Sequence, residues 1–289
     1  MPKLLDRKWL ISVSEDAESE KLVEKLCDEQ IKLLNDNIFN TSKETLEFNL
    51  CGVRFASERC GAVCSLEVFE EIFKCSNHFK KVQEFFSGNG WVLDVGANHG
   101  FFTLFLKKHF PNAGVLAIEP NPHVFDLLTK NISLNGYLDV KCLNLAAGDS
   151  SKIIHLPVSR YVHSLSGVLL TEKPRSWLDS KYFENISVRQ KDVDSIIRDA
   201  SIPFPEWIKI DVEGMEDRVL NGAASVLREA QIIGIERHRI ADRKKIICRL
   251  AEINFSLLYE SDPELSKYYD DLLFMRDPLP INPINPIKS

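Results

Sequence analysis

Apolar positions along the chain change period several times. Over residues 14–35 they recur at helical spacing, with Val23, Leu26, Cys27, Leu33 and Leu34 forming a stripe. Ser14 can cap that helix, and Glu15, Asp16 and Glu18 suit its positive end. Residues 45–55 alternate as a strand does, residues 66–86 return to helical spacing, and Ser87-Gly88-Asn89-Gly90 breaks the chain. From Trp91 onward strand, turn and helix repeat. The pattern predicts strands at 91–95, 114–118, 140–146, 207–212 and 232–236. It predicts helices at 101–109, after the Asn121 cap with Pro122 in the first turn and Gly136 at the end, and at 215–229. Residues 148–205 interrupt the rhythm with strand-like pieces at 152–156 and 186–190 and a short helix at 192–198, and 255–260 with 271–276 read as a closing antiparallel pair.

This alternation predicts an α/β fold with a doubly wound, mostly parallel sheet. We expect an N-terminal accessory segment over 1–88 (helix, strand, helix), a main domain over 89–277 and a proline-stiffened tail over 278–289. The first helix reads as a lid, a homodimer element or a packed accessory helix.

A chain of 289 residues can bury about three quarters of its unfolded surface, enough for an enzyme core without staples. Its 27% charged and 44% hydrophobic residues exclude a disordered protein, and a net charge of −6 counts against general nucleic-acid binding. The basic run Arg237, His238, Arg239, Arg243, Lys244 and Lys245 reads as a solvated helix face. Residues 1–11 hold no long apolar run, so neither a signal peptide nor a membrane span is expected there, and a cytoplasmic location follows. Seven unevenly spaced cysteines fit a reducing compartment. The Asn-x-Ser/Thr triplets at Asn40, Asn131 and Asn185 are then chance matches. Cys51, Cys60, Cys64 and Cys75, near His78, lack the close Cys-x-x-Cys pairs of zinc knuckles, and packing is expected rather than a metal.

The strongest local signal is Asp94-Val95-Gly96-Ala97-Asn98-His99-Gly100, between an apolar strand and an apolar helix. Gly96 and Gly100 allow a tight turn with close ligand approach at the helix N-terminus, and Glu119, ending the next strand, is placed to accept hydrogen bonds from both hydroxyls of an adenosyl ribose. The glycine spacing is not G-x-G-x-x-G. A carboxylate two residues before the first glycine repels a pyrophosphate and attracts the cationic methionyl end of S-adenosylmethionine, which favours the sulfonium cofactor. The second signal is Trp207-Ile208-Lys209-Ile210-Asp211-Val212-Glu213-Gly214-Met215-Glu216: an apolar strand whose tip carries Asp211 and Glu213, facing the Gly96 loop across the switch point. The fifth strand ends likewise with Glu236, Arg237 and His238.

Residues 92–100, Ala117-Ile118-Glu119-Pro120-Asn121, Ala146-Ala147-Gly148-Asp149, Val193-Asp194, residues 208–216 and Ile235-Glu236 resemble the ordered blocks of the FkbM-like methyltransferases, over roughly residues 45–240. The resemblance implies a class I, Rossmann-like methyltransferase that methylates hydroxyls on sugars, lipids or other metabolites. On this reading Asp94, Gly96, Asn98, Gly100, Glu119, Pro120 and Asn121 hold the cofactor, and Ala147 and Asp149 lie along the adenine. His163 and Ser164 match a Ser-Leu segment before the family's substrate region and are candidate substrate contacts. Asp211, Glu213, Glu236 and His238 are the candidate bases for the acceptor proton. Asp211 is the first choice, because Glu213 and Glu236 should raise its proton affinity by like-charge repulsion. Mg²⁺ on the same carboxylates is a second, less favoured reading. An RNA or protein methylase and a catalytically inactive cofactor-binding subunit stay open as alternatives.

Overall fold

A computed structural model describes residues 4–36, 42–75, 81–83, 85–159, 183–238, 241–261 and 269–277. The candidates His163 and Ser164, and the tail over 278–289, lie outside them.

The N-terminal part holds α1 (Arg7–Ser12), α2 (Ala17–Asp36), a hairpin of β1 (Thr45–Leu50) and β2 (Val53–Glu58), and α3 (Ala62–Cys75). Where one strand was expected over 45–55 there are two. Cys51 and Gly52 both take positive φ, which turns the chain back on itself. The cap of α2 is Asp16, whose Oδ1 accepts from the Ser19 N–H, while Ser14 instead bridges to Leu50.

β3 (Trp91–Val95), α4 (Phe101–His109), β4 (Gly114–Ile118), α5 (Pro122–Leu134) and β5 (Val140–Leu143) follow the predicted rhythm. The strand expected over 140–146 stops at Leu143. Residues Ala146–Gly148 form a separate β6, which with β7 (Lys152–Ser159) and β8 (Phe183–Asp192) makes a small three-stranded sheet ordered β6-β8-β7. After α6 (Val193–Ala200) and β9 (Trp207–Ile210), the single helix expected over 215–229 is two, α7 (Glu216–Asn221) and α8 (Ala224–Glu229). Their break falls at Gly222, where a Cβ would lie 1.8 Å from the Gly148 carbonyl oxygen, so the helix yields to the β6 backbone. β10 (Ile232–His238), α9 (Arg243–Ala251), β11 (Phe255–Glu260) and β12 (Tyr269–Arg276) complete the described chain.

The main sheet has seven strands in the order β11-β12-β10-β9-β3-β4-β5. The five strands from β10 to β5 are parallel, and β12 pairs antiparallel with both β10 and β11. The chain winds outward in both directions from β3, so the switch point lies between β3 and β9. Alternate residues supply the two faces. Leu93, Val95, Ile208, Ile210, Ile233 and Ile235 pack under α6–α9, whereas Val92, Val115 and Trp207 pack under α4. The N-terminal part shares a core with the second face: Leu50, Phe55 and Phe69 cluster with Phe101, Leu104, Leu128 and Ile132.

The basic run does not form one solvated helix face. Arg237 and His238 are buried on β10, Arg237 in a two-point pair with Asp270, and Arg243, at the start of α9, pairs with Glu260; Arg239 lies outside the described residues. Burial defeats solvation here because β12 brings Asp270 directly opposite Arg237.

Asn131 fastens the N-terminal hairpin to the Gly96 loop. It is fully buried, its Oδ1 accepts from the Ala56 N–H at 2.6 Å and its Nδ2 donates to the His99 carbonyl at 2.8 Å. Asn131→Ala strands two buried backbone groups and is expected to cost about 2–4 kcal/mol in urea unfolding. A loss under about 0.5 kcal/mol, the size of an ordinary surface substitution, would contradict the tie.

Candidate active site

The crevice opens where β3, β4, β9 and β10 end. Gly96 takes φ +81°, and a Cβ there would lie 1.7 Å from the Asp211 carbonyl oxygen. The glycine is thus required by the backbone of the chain after β9. Asn98, with φ +50°, turns its N–H to Glu119 Oε2 at 3.0 Å, while the Asn121 N–H reaches Oε1 at 2.8 Å. Glu119 is nearly fully buried. Burial raises its pKa to about 7 against the lowering effect of those two amides; the Asp211 charge adds to the rise and Lys209 opposes it. Each carboxylate oxygen is aligned by one backbone donor and keeps acceptor capacity for one more.

The other expected cofactor residues divide into those that line the loop and those that support it. Gly96 and Asn98 are partly exposed. Gly100, with φ +83°, starts α4 against Leu128. The Asn121 side chain caps α5 by accepting from the His123 N–H, and the Glu119 and Pro120 carbonyls accept from Asn144 Nδ2. Ala147 is buried in β6, and exposed Asp149 accepts from Ser150, Lys152 and Gln190.

Asp94, expected beside the methionyl end of the cofactor, has protein partners on both sides. Its side chain is wholly buried and accepts from Thr103 Oγ1 at 2.8 Å, and Lys209, its register neighbour on β9, lies 3.6 Å from Oδ1. The same ammonium is shared with Asp211, 3.1 Å from its Oδ2.

Lys209 is the residue sequence reasoning missed. Its Nζ lies 3.1 Å from Asp211 Oδ2 and 3.5 Å from the Gly96 carbonyl, and although burial opposes its charge, Asp211, Asp94 and Glu236 hold its pKa above the ordinary lysine value. Asp211 therefore does not stand among like charges alone. The carboxyls pushed upward are its neighbours: Glu236, by burial and then by the charges of Asp211, Glu71 and Asp271, and Asp271, by burial and Asp211, to about 6. A lysine isolated in an apolar central strand was the available signal, because it must find a buried partner.

Glu216 was missed as well. Fully buried at the start of α7, its Oε1 accepts from His238 Nδ1 at 2.9 Å, from the His238 N–H at 3.3 Å and from the Gly214 N–H at 3.1 Å. This carboxylate locks the turn after β9 to the end of β10. It also orients His238 through Nδ1, with Nε2 lying 3.7 Å from Glu236 Oε1. Burial opposes a charge on His238, but Glu216, Asp211 and Glu213 outweigh it, and its pKa rises. The structure thus brings together Asp211, Glu236 and His238, whose oxygen and nitrogen atoms lie within 4.8 Å of one another. Glu213, at positive φ in the turn, is not part of that group and acts on His238 through its charge.

The chain is 28% identical over 177 residues to methyltransferase sdnD of Sordaria araneosa, covering 54% of this chain and 67% of that one. It is 28% identical over 163 residues to hexuronic acid methyltransferase AglP of Haloferax volcanii, covering 56% and 62%. The alignments thus span about two thirds or less of either relative's length. Among solved structures, Trm5b from Pyrococcus abyssi is similar at a TM-score of 0.46 and 13% identity, over 82% of this chain and 56% of that chain. The family model described as the methyltransferase FkbM domain matches residues 94–275, more than half of the chain, from the end of β3 to the greater part of β12, so the chain belongs to the FkbM methyltransferase family.

Proposed function

We propose that this chain is an S-adenosylmethionine-dependent O-methyltransferase acting on a hydroxyl of a saccharide, lipid or other metabolite. One observation carries the reading. A single crevice holds a buried carboxylate with two spare acceptor positions, Glu119, and the convergent Asp211, Glu236 and His238. The donor set fits the cofactor: Glu119 suits a ribose diol, and Glu119, Glu236 and Asp271, each within electrostatic reach of Asp211, suit a ligand that carries positive charge.

When bound, S-adenosylmethionine supplies an electrophilic methyl whose C–S bonding pair returns to sulfur as the acceptor oxygen forms the new C–O bond. The chain's residues align the acceptor and remove its proton. Lys209 fixes Asp211 against the Gly96 loop and Glu216 fixes His238, so two members of the acceptor group are each held by a charged partner. The acceptor hydroxyl sits at the Asp211–Glu236–His238 group, which takes its hydrogen bond and its proton. The RNA version of the alternative is disfavoured by the same carboxyls, because they repel a phosphate backbone. Incorporation of radiolabelled methyl into a saccharide, lipid or small-metabolite fraction of a cell extract is the expected result; label confined to RNA or protein would overturn the acceptor class.

Glu119→Ala is expected to weaken S-adenosylhomocysteine binding by about 1.5–3 kcal/mol in calorimetry. Accepting from two hydroxyls needs the ionised carboxylate, so with a pKa of about 7 in the free protein, affinity is full above pH 7 and falls as pH drops through it. The loss from pH 8 to pH 6 is about tenfold. Equal affinity in Glu119→Ala, or no pH dependence that Glu119→Gln removes, would refute the ribose contact. Asp211→Asn and His238→Gln are each expected to lower turnover by about 100-fold or more while S-adenosylhomocysteine affinity stays within about threefold. Near-parental turnover in both would remove the acceptor site from this cluster.

A further inference from the structure

The acceptor end of the crevice has the composition of a metal centre. We propose that Asp211, Glu236 and His238 bind one divalent cation of the Mn²⁺, Co²⁺ or Zn²⁺ class, and that this cation, rather than a bare side chain, receives the acceptor oxygen. The proposal deepens the methyltransferase reading and rests on it for the acceptor; the binding of the cation itself does not.

Three observations support it. The ligand atoms of the three side chains lie within 4.8 Å of one another, and His238 Nε2 and Glu236 Oε1 are 3.7 Å apart. Ligands about 2.1 Å from one ion are roughly 3–4 Å apart, so the group closes onto a cation by side-chain adjustments of about an ångström. Second, His238 is held as a metal-binding histidine is held: a buried carboxylate, Glu216, pairs with Nδ1 and leaves Nε2 on the side of Glu236. Glu216 is tied in turn by the Gly214 N–H, so the imidazole is oriented from the far side by the backbone. Third, carboxyls crowd this point: Asp211, Glu236, Asp271, Asp94 and Glu213 act on it or on one another, and Lys209 is shared between Asp94 and Asp211. Lys209 occupies Oδ2 of Asp211, which leaves Oδ1 for a cation.

The ligand chemistry selects the ion. One imidazole nitrogen with two carboxylates suits Mn²⁺, Co²⁺ or Zn²⁺, whereas Mg²⁺ and Ca²⁺ prefer an all-oxygen shell. Three protein ligands leave coordination positions open to a hydroxyl-bearing acceptor. A hydroxyl so placed ionises more readily, its proton passing to water or to a neighbouring carboxylate, and its oxygen remains beside the cofactor's methyl end.

The test uses the full chain, stripped with a chelator and dialysed, with no cofactor or acceptor present. Mn²⁺ is titrated in and the free aqueous ion followed by electron paramagnetic resonance. We expect one equivalent bound, competition by Zn²⁺ and Co²⁺, and little competition by Mg²⁺ at equal concentration. Glu236→Gln is expected to weaken Mn²⁺ binding at least tenfold, and Glu216→Gln, which touches the cation only through His238, by about 10–100-fold. Both variants should keep the parent's melting temperature in the absence of metal within a few degrees; if His238 variants do not fold, these two still decide the matter. Absence of stoichiometric Mn²⁺ or Zn²⁺ binding, or binding unchanged in both Glu236→Gln and Asp211→Asn, would overturn the proposal. S-adenosylhomocysteine binding by the metal-free chain, measured in parallel, separates the two readings: its failure would count against the methyltransferase assignment and leave the cation site standing.

Discussion

A lysine ammonium placed under the switch point of the sheet is the interaction on which the rest of the crevice depends. Lys209 projects from the central strand β9 between Asp94 on β3 and Asp211 at the strand's own tip, and reaches the Gly96 carbonyl. Without it, two carboxylates at the junction of two central strands would face each other with little solvent to screen them. With it, the turn after β3 and the turn after β9 are joined closely enough that Gly96 has no room for a Cβ. That closeness sets the floor of the crevice.

From that floor the crevice divides by chemistry. On the β4 side, backbone amides of Asn98 and Asn121 hold Glu119 as a buried acceptor of hydrogen bonds. On the β10 side, Glu216 holds His238, and the strand alternation that buries Arg237 against Asp270 on one face delivers Glu236 and His238 together on the other. Each functional group is thus gripped by a second group fixed by backbone hydrogen bonds or a buried ion pair, the arrangement a reaction that depends on alignment requires.

Much of this was legible in the sequence. The strand and helix rhythm from Trp91 onward gave the doubly wound sheet and its closing antiparallel pair, because apolar runs ended by Gly, Asn and Pro carry strong local signals. Glu119, Asp211, Glu236 and His238 were legible because residues at strand ends gather at the switch point whatever the packing. What was not legible depends on partners distant in sequence. The pairing of Asp94 with Lys209, 115 positions further along and adjacent only through strand register, has no local signal. Arg237 read as solvated because nothing local announces Asp270. Gly222 breaks a helix for the sake of the Gly148 carbonyl, a contact no periodicity contains.

The central claim is that one crevice seats the cofactor on Glu119 and the acceptor on Asp211, Glu236 and His238. The most direct measurement is a crystal structure of the chain grown with S-adenosylhomocysteine. The account predicts both ribose hydroxyls on the Glu119 carboxylate and the thioether sulfur on the side facing Asp211 and His238. Density for the nucleoside away from Glu119, or a sulfur turned from that cluster, would contradict it.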